Sequence, residues 1–174
     1  MGGVNGAEAL KALYALQEKD LEIDRLRAEA ESLPEELVAL QGQVETLEER
    51  LTNLLERRAE LEREYNRHSL DIEDLSAKEK QAEEEQKRAQ SAREQTQYEN
   101  RIQQIKDRIR ELLELSTPIM EAMENLEAEI AQVEEELAAL RPRLQELLEA
   151  NRARVAELEA AIAAVRGGAT VDSA

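Results

Sequence analysis

Large apolar residues recur along this chain at alternating steps of three and four. From Leu37 the series runs Leu40, Val44, Leu47, Leu51, Leu54, Arg58, Leu61, Tyr65, His68, Ile72 and Leu75. This is a heptad seam with polar interruptions at Arg58 and His68, and it predicts one long helix that buries a single stripe against a partner helix. The same register runs backward through Leu33, Ala30, Leu26, Ile23 and Leu16 and crosses Pro34 without a change of phase. A second seam runs through Tyr98, Ile102, Ile105, Ile109, Leu112, Ser116, Ile119, Met123, Leu126, Ile130, Val133, Leu137, Leu140, Leu144, Leu147 and Asn151.

Between Leu75 and Tyr98 the register positions are Glu79, Ala82, Gln86, Ala89 and Arg93, and the seam lapses. Two Ser/Thr-x-x-Glu sequences lie there, Ser91 to Glu94 and Thr96 to Glu99, and each is able to start a helix. The segments that carry them, Pro34–Arg93 and Thr96–Arg166, are roughly 90 and 105 Å long at the helical rise per residue, so they match well enough to zip together. The chain thus reads as all-α, a long antiparallel coiled-coil hairpin over residues 32–166 with its tip near 88–97. A single rod that dimerises is the alternative.

The segment before Pro34 carries Leu10, Leu13 and Leu21 off the main stripe, and this wider apolar face predicts two neighbours. Ser32-Leu33-Pro34-Glu35 reads as a capping box with Pro in the first turn. The expectation is a short N-terminal helix over 8–31 that folds back at Pro34 and packs on the base of the hairpin near residues 130–165; straight continuation through Pro34, which keeps the register at the cost of a strained proline, is the alternative. Residues 1–7 are expected to be disordered, and Gly167-Gly168 reads as a helix stop before a flexible tail, 167–174. Pro118 and Pro142 fall on the outward side of the second seam, where Thr117 is placed to cap a helix restarting at Pro118.

Composition narrows the function more than the fold. Of 174 residues none is Cys, Trp or Phe, and a single His is present, so a compact aromatic core, a thiolate metal site and a His-dependent catalytic triad are all ruled out as readings. His68 sits on the seam, where a polar residue that helps fix register is the simplest reading, and Arg58 and Asn151 are read in the same way. No cofactor is expected, and the sequence argues against an enzyme. No apolar stretch nears the ~20 residues that cross a bilayer, and Met1-Gly2-Gly3-Val4-Asn5-Gly6 lacks the regions of a signal peptide, so the reading is cytoplasmic with no membrane partner.

The net charge of −17 opposes nucleic-acid binding by this region alone. A basic stripe of Lys87, Arg88, Arg93, Arg101, Lys106, Arg108 and Arg110 would be its only means, and it is interleaved with acids. Protein partners fit better, with a homodimer through the base left open. The candidate contact residues are those of the tip: Lys87, Arg88, Arg93, Thr96 and Tyr98. Tyr98 is the anchor, because Tyr and Arg are enriched where interfaces carry their energy.

The order of elements resembles that of bacterial coiled-coil proteins with a C-terminal four-cysteine zinc ribbon, a family described as nucleic-acid-binding. The matching elements are a first helix ending in Ser32-Leu33-Pro34-Glu35-Glu36-Leu37, a polar turn with Arg93, Thr96 and Tyr98-Glu99, and a later helix through Ile119-Met120-Glu121. The turn looks like that family's Thr-Asn-Lys/Arg-Glu-Tyr segment, with Tyr98 the firmest counterpart. The resemblance covers roughly residues 8–166 and implies an interaction arm. Without Cys the ribbon is absent from this chain, through truncation or loss, so its metal binding does not carry over. An alternative function is a transcription regulator of the Gre/DksA type, which would present Glu83, Glu84 and Glu85 to RNA polymerase at a coiled-coil tip.

Overall fold

The computed structural model describes the backbone of residues 2–173 and the side chains of residues 6–168. It consists of α1 (Gly2–Glu31), α2 (Glu35–Lys87) and α3 (Ala92–Ser173). It divides into two units, one made of Met1–Thr46 with Leu137–Ala174 and the other of Leu47–Glu136.

In the second unit α2 and α3 pack antiparallel. As the α2 position rises from Arg58 to Glu79 to Gln86, its partner on α3 falls from Glu127 to Lys106 to Gln95. The hairpin is therefore real, and the single rod is not. The core of this unit is the double seam: Leu61 and Ala82 from α2, with Ile102, Ile105, Leu112, Ile119, Ile130 and Val133 from α3, are all buried. Ser116 is buried among them and donates its hydroxyl to the carbonyl of Leu112 at 2.8 Å, so its polar atom is satisfied. Arg58 resolves its seam position by turning Nε and Nη2 to Glu127 Oε1, at 3.2 and 2.9 Å.

In the first unit Leu37, Leu40 and Val44 of α2 and Leu137 of α3 are buried. Beside them Ile23 and Leu26 of α1 form a cluster with Ile162, Leu158, Ala161 and Val165 of α3. Here the expected fold-back is corrected. Leu26 packs with Ile162, Glu29 receives Arg154 and Glu36 meets Arg143, so the α3 partner falls steadily as the chain passes through residues 32–34. Within this unit α1 thus runs in the same sense as the start of α2 and packs antiparallel to α3. The physical reason is the unbroken register: straight continuation keeps Ile23 and Leu26 on the stripe that Leu37 and Leu40 occupy, whereas reversal would have to build a new one. The Ser32–Glu35 capping box is not made, and α2 instead begins with Val38 N–H donating to the Pro34 carbonyl at 3.1 Å.

Among the described residues the wider apolar face of α1 does not acquire a second neighbour. Leu10, Leu13 and Leu21 stay 68%, 55% and 67% exposed. α1 starts at Gly2, inside the stretch expected to be disordered, and α3 continues through Gly167 and Gly168 to Ser173, inside the expected tail. No described glycine has a positive φ, so the glycine pair does not form a left-handed helix cap. Met1 and Ala174, also assigned to those two segments, lie outside the described residues. α3 is also continuous at Pro118, where Thr117 donates to the Leu113 carbonyl at 3.1 Å within the helix and caps no restart.

Candidate partner-binding surface at the hairpin turn

The chain reverses at residues 88–91, between the ends of α2 and α3. α2 closes by tightened bonds, Arg88 N–H to the Glu85 carbonyl at 3.0 Å and Ala89 N–H to that of Gln86 at 3.1 Å, as helix ends do when carbonyls lack i+4 donors. α3 opens at Ser91, whose Oγ accepts the Glu94 N–H at 3.1 Å, while the Glu94 carboxylate reaches back to the Gln90 N–H at 3.1 Å. This is a capping box displaced by one residue on its return arm, and it does the work that Gly or Pro would do in other turns. Gln86 spans the reversal, donating Nε2 to the Gln95 carbonyl at 3.5 Å. Its signal in the sequence was its seam position, where an apolar residue would otherwise stand.

Of the two capping boxes only the first is used. Thr96 lies in the first turns of α3 and donates to the Ala92 carbonyl at 3.0 Å. The candidate contact residues flank the reversal: Lys87 closes α2, Arg88 is in the turn, Arg93 opens α3 and Thr96 follows, all four exposed, with Tyr98 half-buried beyond them. Lys87 pairs with Glu84 at 3.2 Å, whereas Arg88 and Arg93 have no ion pair among the described residues. The proposed basic stripe is largely neutralised further along, since Lys106 pairs with Glu79, Arg108 with Glu111 and Arg110 with Asp107. Glu83, Glu84 and Glu85 precede the turn on α2. Among the described residues no three carboxylates or histidines converge as metal ligands would.

The chain is matched over residues 16–171 by the family model of the CT398-like coiled coil hairpin domain. The chain belongs to that family. No curated protein and no solved structure matches it. As a CT398-like hairpin it is a helical scaffold, and among its described residues no helix is long and apolar enough to cross a membrane. The CT398-like match begins at Leu16 and so takes in most of the α1 segment that lines α3.

Proposed function

We propose that this chain is a non-enzymatic, cytoplasmic scaffold or adaptor that binds protein partners at its hairpin turn. The observation that carries this reading is the turn itself. Its backbone is closed by its own side chains, Ser91, Glu94 and Gln86, which leaves Arg88 and Arg93 exposed and, among the described residues, without ion partners, with the half-buried Tyr98 following on α3. Arg and Tyr are among the residue types enriched where interfaces carry their energy. The resemblance to zinc-ribbon coiled-coil proteins supports reading the hairpin as an interaction arm, although this chain brings no cysteine to such a ribbon. A homodimer through the base belongs to the same proposal, supported by the exposed leucines of α1.

The test is a photo-crosslinking amino acid placed in living cells at Arg93 or Tyr98, with Glu157 as a remote control. Discrete protein adducts at the turn positions and none at Glu157 are expected. Equal or absent adducts at all three would remove the turn as the contact surface.

A further inference from the structure

A second surface lies away from the turn, where both helices carry a polar residue on the seam. His68 and Ser116 are the polar seam residues of this stretch, and the partner ladder from Arg58–Glu127 to Glu79–Lys106 sets them opposite each other. Beside them α2 and α3 leave a groove of ≈ 320 Å³, lined by Tyr65 and Ile72 from α2 and Leu113, Thr117 and Met120 from α3. A smaller depression continues it past Met123 to Glu124 and Glu127. Leu113, Thr117 and Met120 stand at i, i+4 and i+7, so they form one face of α3 outside the seam. Leu113 and Met120 are 52% and 47% exposed, which the hairpin's own packing does not require.

We propose that this groove docks an amphipathic helix of a partner protein, one whose apolar stripe is flanked by Lys or Arg. This inference rests on the scaffold reading and adds a site and a partner class to it. Shape comes from the groove, which offers a third helix a row of side chains at helical spacing beside an existing pair. Adaptability comes from Met120 and Met123, because thioether side chains repack around differently shaped apolar residues. The sign of the partner's charge comes from the rim. From Glu111 to Leu140 α3 contains no Lys or Arg, and Glu124 at the groove's end has no ion pair among the described residues. Glu127 is already engaged by Arg58. Such a rim favours a cationic helix, while it repels a second copy of this acidic chain and anionic lipid headgroups.

The probe is a fluorescent synthetic peptide of about three heptads, made of Leu and Lys with leucines at i, i+3, i+4 and i+7, and compared with its scrambled isomer. Because any cationic peptide is drawn to a chain of charge −17, the isomer measures that background. By anisotropy the amphipathic peptide should bind the full chain about tenfold or more tighter than the isomer. The double substitution Leu113→Asp with Met120→Asp should bring it down to the isomer's level. Glu124→Lys should weaken it more than the same charge change at the remote Glu157→Lys. Thr117→Arg, on an exposed position, repeats the test should the double variant lose its helical circular dichroism.

Equal binding of peptide and isomer, or unchanged binding by the groove variants, overturns the proposal. So does self-association of the free chain that the double variant abolishes, because a second copy would then be the occupant. Crosslinks at the turn together with failure here would sink the groove and leave the scaffold reading standing.

Discussion

Arg154 on α3 donates Nη1 to the carbonyl oxygen of Glu29 on α1 at 2.7 Å. Its Nη2 reaches the Ser32 carbonyl at 2.6 Å and is held by Asn151 Oδ1 at 2.8 Å. The last helical bond at this end of α1 is Ser32 N–H to the Ala28 carbonyl, and Pro34 has no N–H to offer the carbonyl of Ala30. A forked cation from the opposite helix therefore fills acceptors that the break leaves open, and it favours carbonyls at a helix C-terminus, where the dipole is negative. The break is bridged from outside, which lets α1 continue along α3. Nearby, Arg143 binds Glu36 at 2.8 Å; this hydrogen bond, followed by the charge of Glu36 and the hydrogen bond to Glu146, raises its guanidinium pKa.

Arg154→Ala should cost about 1.5–3 kcal/mol in urea unfolding, the range for hydrogen bonds to a charged donor in a partly buried site. Arg154→Lys should recover only part of this, because an ammonium cannot span two carbonyls as a planar fork does. A loss equal to that of an ordinary exposed Arg would mean the break is held otherwise.

His68 is the counter-case. Its Nδ1 is buried without a partner and its Nε2 lies 4.0 Å from Glu64, beyond hydrogen-bond reach. His68→Leu should raise stability by about 1–2 kcal/mol by removing an unsatisfied polar atom and filling the seam. Thermal unfolding of the two proteins side by side checks the sign.

Since α3 passes through Pro118 without interruption, Pro118→Ala should stabilise the helix by up to about 3 kcal/mol, restoring a backbone donor and relieving the ring's clash with the preceding turn. An unchanged urea midpoint would show that the Ser116 and Thr117 hydroxyls, bonded to the Leu112 and Leu113 carbonyls, already shape a backbone that suits the proline.

The Arg58–Glu127 pair is partly exposed on both sides, so a double-mutant cycle should return no more than ~1 kcal/mol, decreasing with added salt. A larger, salt-independent coupling would mean the pair is more desolvated than its exposure indicates.

Much of this architecture can be read locally. Apart from Ile162, each buried residue of the two units stands on a register position counted from the sequence, because heptad spacing reports burial directly. The Ser91–Glu94 cap was legible for the same reason, since its partners lie within four residues. The direction of α1 was not. Ser32 and Glu35 suggest a new helix start, while the group that settles the path is Arg154, 122 residues away from Ser32. Continuing the second seam one step beyond Asn151 lands on Arg154, and that was the available signal. The leucines of α1 misled differently: an apolar face shows what could be covered, and among the described residues no helix covers Leu10, Leu13 and Leu21. At the turn, exposure and pairing of Arg88 and Arg93 depend on which acids the fold brings near, and spacing alone does not give that.

The path of α1 is tested most directly by paired spin labels, for which the absence of native cysteine is convenient. Glu22→Cys with Ala163→Cys should give a short distance, about one interhelical spacing plus the labels. Glu22→Cys with Ala139→Cys should give ~35 Å or more, the rise of α3 between the two sites. A short 22–139 distance with a long 22–163 distance would mean that α1 folds back on the hairpin, contradicting an extended first arm.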